Sequence, residues 1–301
     1  MRRYETEMPP ITRRTTLQAL LGSLGSVPML ASSQTRATDR RLEAGIRAVE
    51  KRSGGRLGVA LLDTGSGALH GWRLDERFPM CSTFKMAAAA LVLKRAETGE
   101  ENLDRIVRFG PADQVAYGPV TEPLLPDGRL TVGELAGAIV TFSDNTAANL
   151  LLRSFGGPSA LTAWLRTLGD DRTRLDRTEP ALNTAIPGDL RDTTTPRAMA
   201  MTLQRIALGD ALKAPSRAQL IGWMQASRTG DRKFKAGVPA GWRVAGKTGA
   251  GANGTSNEIA VLWPPAGAPL VVCAYLTGAK VESAARDQVI ADVGALAATL
   301  R

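Results

Sequence analysis

The chain has 301 residues, a formal net charge of +9, and 44% hydrophobic against 22% charged residues. That composition is globular and can bury a core without help from metals or disulfides. One histidine, His70, and two cysteines, Cys81 and Cys273, exclude a multi-histidine zinc centre and a cysteine-rich zinc or iron–sulfur site. They also make a Ser-His-Asp triad depend on one residue. A general base is therefore to be sought among Lys, Glu and Asp, and no cofactor or metal is expected. Length alone suggests two units of about 150 residues. Basic residues are scattered and aromatics are only 5%, so the charge reads as solubility and nucleic acid is not an expected partner.

At the N-terminus, Arg2, Arg3, Arg13 and Arg14 precede an uncharged stretch, 15–33, carrying Leu17, Leu20, Leu21 and Leu24. A positive n-region before a short apolar h-region is an export signal, and it is too short and polar for a membrane span. The string Thr12-Arg13-Arg14-Thr15-Thr16-Leu17 resembles a twin-arginine signal. It lacks the usual aromatic two places after the pair, so the general secretory route stays open. Residues 1–33 are thus expected to meet the export machinery, with cleavage near Ala31 to Ala37 and Met8 as an alternative start. The remainder, 34–301, is expected in the periplasm or outside the cell, as a monomer with no stable membrane anchor.

Thr38 to Arg52 reads as a helix, with Asp39 as its cap and Leu42, Ile46 and Val49 on one face. Leu57 to Leu62 is an apolar strand, turned at Thr64-Gly65-Ser66-Gly67 into a second one ending near Trp72. Phe84 to Leu93 is an interior helix, and Leu130 to Val140 and Thr146 to Leu152 are further helices. Residues 170–196 are charged, proline-punctuated and aperiodic, a long loop whose order the pattern leaves open. Trp242 to Lys247, Glu258 to Trp263 and Leu270 to Leu276 read as strands, and Glu282 to Leu300 as a closing helix. A sheet assembled from both chain ends with a helical middle accounts for that order.

Three short motifs carry chemistry. In Ser82-Thr83-Phe84-Lys85, a serine and a lysine three apart share a face if a helix begins there. The lysine can then help remove the hydroxyl proton, and the helix N-terminus favours negative charge beside it. Ser143-Asp144-Asn145 lies downstream, and Lys247-Thr248-Gly249 lies at the end of the first C-terminal strand. In this order the three resemble the signature of class A serine β-lactamases and penicillin-binding peptidases. Glu179-Pro180-Ala181-Leu182-Asn183, Arg191-Asp192-Thr193-Thr194-Thr195-Pro196 and Tyr117-Gly118-Pro119-Val120-Thr121 extend the resemblance to class A β-lactamases over most of the chain.

The resemblance implies an α+β fold: a three-layer α/β/α arrangement around a five-stranded antiparallel sheet built from both chain ends, with an inserted helical lobe. The α/β lobe would comprise about 38–76 and 228–301, and the helical lobe about 77–227. Ser82 would attack the β-lactam carbonyl of penicillins and some cephalosporins and form an acyl-enzyme. Lys85 is a base candidate for that step, contested by Glu179 and its water. Glu179, with Asn183, would hold the water that deacylates Ser82. Ser143 would relay a proton to the leaving nitrogen beside Lys247, and Lys247 and Thr248 would meet the substrate carboxylate. Asn145 would bond the drug's side-chain amide, Tyr117 would sit at the rim, and the backbone N–H groups of Ser82 and Ala250 would bind the oxyanion. Family members carry a cis bond before Pro180, and an Arg177–Asp192 pair would bridge the loop neck. Asp144 reads as structural, as do His70 and Trp242.

Two departures bear on specificity. Relatives often place a carboxylate-binding arginine just beyond the Lys-Thr-Gly motif; here Asn253-Gly254-Thr255-Ser256-Asn257 has none, and Lys233 or Lys235 is the substitute considered. A lysine would supply a point charge in place of a planar fork. Gly246 stands where an acidic residue often precedes the motif lysine. Cys81 and Cys273 are not expected to form a bridge. Two other functions fit parts of the sequence. A penicillin-binding D-alanyl-D-alanine peptidase or esterase of the same fold would lack the Glu179–Asn183 pair. A basic cell-wall or nucleic-acid-binding protein would bind polymer without turnover.

Overall fold

The computed structural model describes residues 27–301, with side chains from residue 37 onward. Residues 1–26 of the expected export segment, including the arginine pairs, lie outside the described residues. Two compact units divide the chain, Met1–Thr38 and Asp39–Arg301, and the sheet and cleft lie within the second.

Helix α1 (Val27–Ser53) leads into β1 (Arg56–Asp63) and β2 (Leu69–Trp72). The helix runs back past Thr38, so Asp39 is not its cap: a residue inside a helix faces no unpaired N–H to accept. The Asp39 carboxylate instead meets Nδ1 of the buried His70 at 2.5 Å, a structural pairing. After β3 (Phe78–Pro79) and a 3₁₀ turn at Cys81–Thr83, α2 spans Phe84–Glu97. Residues Phe84 to Leu93 are all buried, as expected of a helix apolar all round.

The middle of the chain supplies β4 (Ile106–Phe109), β5 (Gly128–Thr131), α3 (Val132–Thr141), α4 (Asn145–Ser154) and α5 (Gly157–Thr167). Leu130 belongs to β5 and not to α3, because Thr131 accepts the Glu134 N–H while Glu134 accepts the Thr131 N–H, a reciprocal cap that starts the helix at Val132. Strand β6 (Thr193–Thr194) pairs with β3, and α6 (Pro196–Ala207) and α7 (Ala214–Gln225) follow. The short α8 (Phe234–Gly237) precedes β7 (Arg243–Gly251), β8 (Thr255–Trp263), β9 (Leu270–Thr277) and α9 (Ser283–Ala298).

The five-stranded sheet has the order β2-β1-β9-β8-β7, with antiparallel neighbours. It unites the two ends of the chain, as the sequence order implies. Both faces are covered, which explains the near-continuous apolar runs. Leu57, Val59 and Leu61 point to the side of Ile46, Val289 and Val293. Ala60, Leu62, Val261 and Cys273 point to the side of α2, α3, α4 and α6. Trp242 packs at the margin of the first of these layers, beside edge strand β7. Cys81 and Cys273 are both free and buried.

Candidate active site

Met80 to Lys85 make the turn at the centre of the cleft. Cys81 adopts φ 47°, a left-handed conformation uncommon outside glycine and held only where surrounding structure compels it. Tyr117 (φ 68°) and Ser143 (φ 62°) share that feature, so three strained non-glycine residues line or flank one site. Two clamps fix the turn: Asp192 O accepts from Met80 N at 2.9 Å, and Asn257 Nδ2 donates to Pro79 O and Met80 O at 2.9 and 3.1 Å. Strand β7 presses on the turn from the other side. A β-carbon at Gly249 would lie 2.7 Å from Met80 O and 3.2 Å from Ser82 N, so only glycine permits the approach.

Ser82 Oγ lies 3.3 Å from Glu179 Oε1, to which it donates. The same oxygen is 2.9 Å from Lys85 Nζ, both side chains being fully buried. Lys85 also donates to Ser143 O at 2.7 Å and to Asn145 Oδ1 at 2.5 Å. Three acceptors for three N–H bonds describe an ammonium. Burial pulls Lys85 below the ordinary lysine range and Glu179 opposes that. The neighbouring Lys247 donates to Ser143 Oγ at 3.0 Å and to Thr248 O at 2.8 Å. Burial, with the Lys85 charge adding to it, holds Lys247 well below its usual value.

The loop that carries Glu179 is ordered. Asp192 Oδ1 accepts from Asp176 N and Arg177 N at 2.7 and 2.9 Å, and Arg177 Nε donates to Asp192 Oδ2 at 2.6 Å. The Glu179–Pro180 bond is cis. Asn149 brackets Glu179 through its backbone, donating from Nδ2 to Glu179 O and accepting from Glu179 N at Oδ1, each at 2.9 Å. Asn183 Nδ2 donates to Glu179 Oε2, while Asn183 Oδ1 is buried without a protein partner. The expected site residues Ser82, Lys85, Ser143, Asn145, Glu179, Asn183, Lys247 and Thr248 therefore converge. The sequence reading missed Asn149, although its place one helical turn after Asn145 was a legible signal.

Asp144 is the N-cap of α4, accepting from Ala147 N at 2.8 Å and from the Val120 and Thr121 amides, both at 2.9 Å. It thereby ties the Tyr117 rim segment to the motif. Tyr117, 57% exposed, accepts Asn145 N–H at its carbonyl, 2.9 Å away. The Lys-Thr-Gly motif does not end its strand, because β7 continues through Ala250 to Gly251 in register with β8. The motif glycine is a point of close contact with the Met80–Ser82 turn.

The cleft, about 440 Å³, is lined by Ser82, Tyr117, Ser143, Asn145, Thr248 and Ala250 among others. A larger cavity of about 680 Å³ is lined by Arg56, Arg77, Arg191 and Lys280 and holds no side chain of the Ser82, Ser143 or Lys247 motifs. Convergent polar groups, not volume, mark the first as the site. The two lysine candidates part company. Lys233 lines the cleft, its Nζ donating to Ser256 Oγ at 2.6 Å and lying 3.5 Å from Asp287 Oδ1. Lys235 is turned away and pairs with Asp231 at 2.8 Å, so it is not part of the cleft. Residues two positions apart at the start of a helix point in different directions, which spacing alone does not resolve.

A buried serine served by a glutamate and two lysines, with no histidine near it, defines a serine acyl-transfer site that does without a histidine triad. The Beta-lactamase enzyme family matches residues 41–299. The chain is 48% identical over 268 residues to β-lactamase CTX-M-8 of Citrobacter amalonaticus, covering 89% of this chain and 90% of that one. It is 48% identical over 267 residues to β-lactamase OXY-2 of Klebsiella oxytoca, covering 88% and 92%. Among solved structures, an ancestral class A β-lactamase superposes with a TM-score of 0.85 at 57% identity, covering 86% of this chain and 100% of that one. The putative class A β-lactamase PenP of Rhodopseudomonas palustris gives a TM-score of 0.85 at 56% identity, covering 87% and 100%. The chain belongs to the class A β-lactamases, serine enzymes that hydrolyse β-lactams.

Proposed function

We propose that the enzyme opens penicillins and some cephalosporins through an ester on Ser82, with Glu179 as the base in both half-reactions. The observation that carries this reading is one oxygen, Glu179 Oε1, shared between Ser82 Oγ at 3.3 Å and Lys85 Nζ at 2.9 Å. The three acceptors around Lys85 favour the ammonium form, so the lysine orients Glu179 and stabilises developing charge, while the carboxylate takes the proton.

In acylation the Ser82 Oγ–H proton passes to Glu179 as Oγ bonds to the lactam carbonyl carbon. The backbone N–H groups of Ser82 and Ala250 receive the oxyanion, a class of contact that contributes about 3–4 kcal/mol in other hydrolases. Collapse breaks the C–N bond. Ser143, supported by Lys247, is the last donor to the nitrogen, and the net transfer carries the Ser82 proton there. In deacylation Glu179 takes a proton from water whose other proton is directed at Asn183 Oδ1. The new C–O bond forms, the ester bond to Oγ breaks, and the proton returns to Oγ. Asn145 and Thr248 orient the substrate, and Lys233 meets its carboxylate. The Glu179–Asn183 pair favours hydrolysis over the slow release expected of a peptidase.

The test follows turnover and intact mass for wild type, Ser82→Ala and Glu179→Ala. The reading expects turnover by wild type, no adduct in the first variant and, in the second, an acyl adduct that forms more slowly than in wild type and then persists. Full activity without Ser82 would sink it. Export of the precursor, cleavage near Ala31 to Ala37 and a monomeric product are part of the same reading. Among the described residues no helix is long and apolar enough to cross a membrane. N-terminal sequencing and light scattering of the protein recovered from the periplasm or medium check these points.

A further inference from the structure

Glu258 is a buried acid that the mechanism above does not use. It lies on β8 opposite Thr248 and is 1% exposed. One oxygen, Oε2, accepts the Phe234 N–H at 2.8 Å, the residue directly after Lys233. The other oxygen, Oε1, occupies space that two glycines leave open: a β-carbon at Gly246 would lie 2.5 Å from it, and one at Gly230 2.9 Å. The acid absent from β7 at position 246 is thus supplied from the adjacent strand, and a side chain larger than hydrogen at 246 would displace it.

The charges around it are few. Lys247 lies next along β7 but projects to the other face of the sheet, Lys233 precedes α8 and Lys235 lies within it, and Asp287 and Arg286 stand on α9. Lys233 does not pair with Glu258 directly; its ammonium goes to Ser256 Oγ and Asp287. Glu258 therefore keeps a single backbone hydrogen bond, and burial pushes its carboxyl up to about 7. Lys233 already has the Asp287 carboxylate at 3.5 Å, and an ionised Glu258 adds a second negative charge beside it. A substrate carboxylate brought to Lys233 would be a third.

We propose that Glu258 is the positioning residue of the Lys233 subsite: it anchors Lys233 through the Phe234 amide and takes up one solvent proton when a substrate carboxylate binds. This rests on the reading of Lys233 as the carboxylate-binding residue. The balance is simple: the Glu258 carboxylate gains a proton, no other bond changes, and the subsite exchanges one negative charge for another. Linkage fixes the sign. A group protonated more fully in the complex weakens binding as pH rises through its free pKa. Carboxylate-bearing substrates therefore bind less well above about pH 7, whereas a substrate without that carboxylate does not share the trend.

The experiment compares KM for a penicillin and for its methyl ester from pH 6.5 to 8.5 with the mature enzyme. Both substrates use the same acylation and deacylation groups, so their KM ratio isolates the subsite. Wild type should lose about five- to tenfold of its preference for the acid over that range, read in KM and not in kcat. Glu258→Gln, which can still accept from Phe234 N–H, should show a ratio independent of pH, and Glu258→Asp should restore the slope. Gly246→Ala, which crowds the carboxyl without removing it, should shift the midpoint. A slope that persists in Glu258→Gln, or is absent from wild type, overturns the proposal. Lys233→Ala separates the two readings. If it keeps the acid preference, both fail; if it loses that preference while Glu258→Gln behaves as wild type, only the role of Glu258 fails.

Discussion

Two buried lysine–glutamate sets adjoin the cleft, and they are built on opposite plans. Glu179 touches Lys85 at 2.9 Å, receives Asn183 on its second oxygen and is bracketed along its backbone by Asn149. Glu258 touches no side-chain cation, holds one amide N–H, and has its carboxyl raised to about 7. The first glutamate is held against an ammonium and lies within reach of the nucleophile. The second has no such partner, and burial raises its carboxyl. A buried acid is thus a base, or a proton store, according to what its oxygens reach.

The largest effects should come from breaking the first set. Ser82→Ala is expected to lower kcat by at least about 10⁴-fold and to abolish the acyl adduct in intact-mass spectra. Glu179→Ala should lower turnover about 10²–10⁴-fold, with the adduct persisting instead of vanishing. A Glu179→Ala enzyme that deacylates at the wild-type rate would remove the distinction between the two glutamates.

Effects at the second set should be smaller and confined to binding. Lys233→Ala should raise KM for carboxylate-bearing substrates about 10–100-fold, the loss of a charge-assisted hydrogen bond. Lys235→Ala, already paired with Asp231 at the surface, should stay within about twofold. A last test concerns stability. The Glu258 carboxyl is raised in the folded chain from its ordinary 4.5 to about 7, so its contribution is fully present below pH 4.5 and is lost as pH rises through 7. Glu258→Gln cannot ionise. It should exceed wild type in stability by about 3 kcal/mol at pH 8, and the gain should vanish near pH 4.5, as thermal melts across that range would record.

The first set was legible; of the second, only Lys233 was considered, as one of two alternatives. Ser82, Lys85, Ser143, Glu179 and Lys247 stand in short motifs whose residue types already match an acyl-transfer mechanism, and a single histidine had narrowed the choice of base beforehand. Asn149 could have been found by helical spacing. Glu258 could not, because nothing within β8 marks an acid that fills the space above a glycine of β7. That relation is fixed by strand register, in which Thr248 faces Glu258. In the same way, the need for glycine at 249 comes from close approach to Met80 and Ser82, which no local pattern records.

Composition, periodicity and motif residues by themselves determined a sheet built from both chain ends and serine chemistry without histidine, and the resemblance those motifs carry implied the α+β enzyme. These are local properties: propensity, alternation and the residue types a mechanism needs. Only the tertiary structure decided which of Lys233 and Lys235 enters the cleft, which oxygen of Glu179 Ser82 and Lys85 share, and where the acid missing from Gly246 was replaced. Those outcomes depend on side chains that meet across 97 residues of sequence for Ser82 and Glu179 and 24 for Phe234 and Glu258. At such separations the chain carries no local signal, and packing alone brings the groups together.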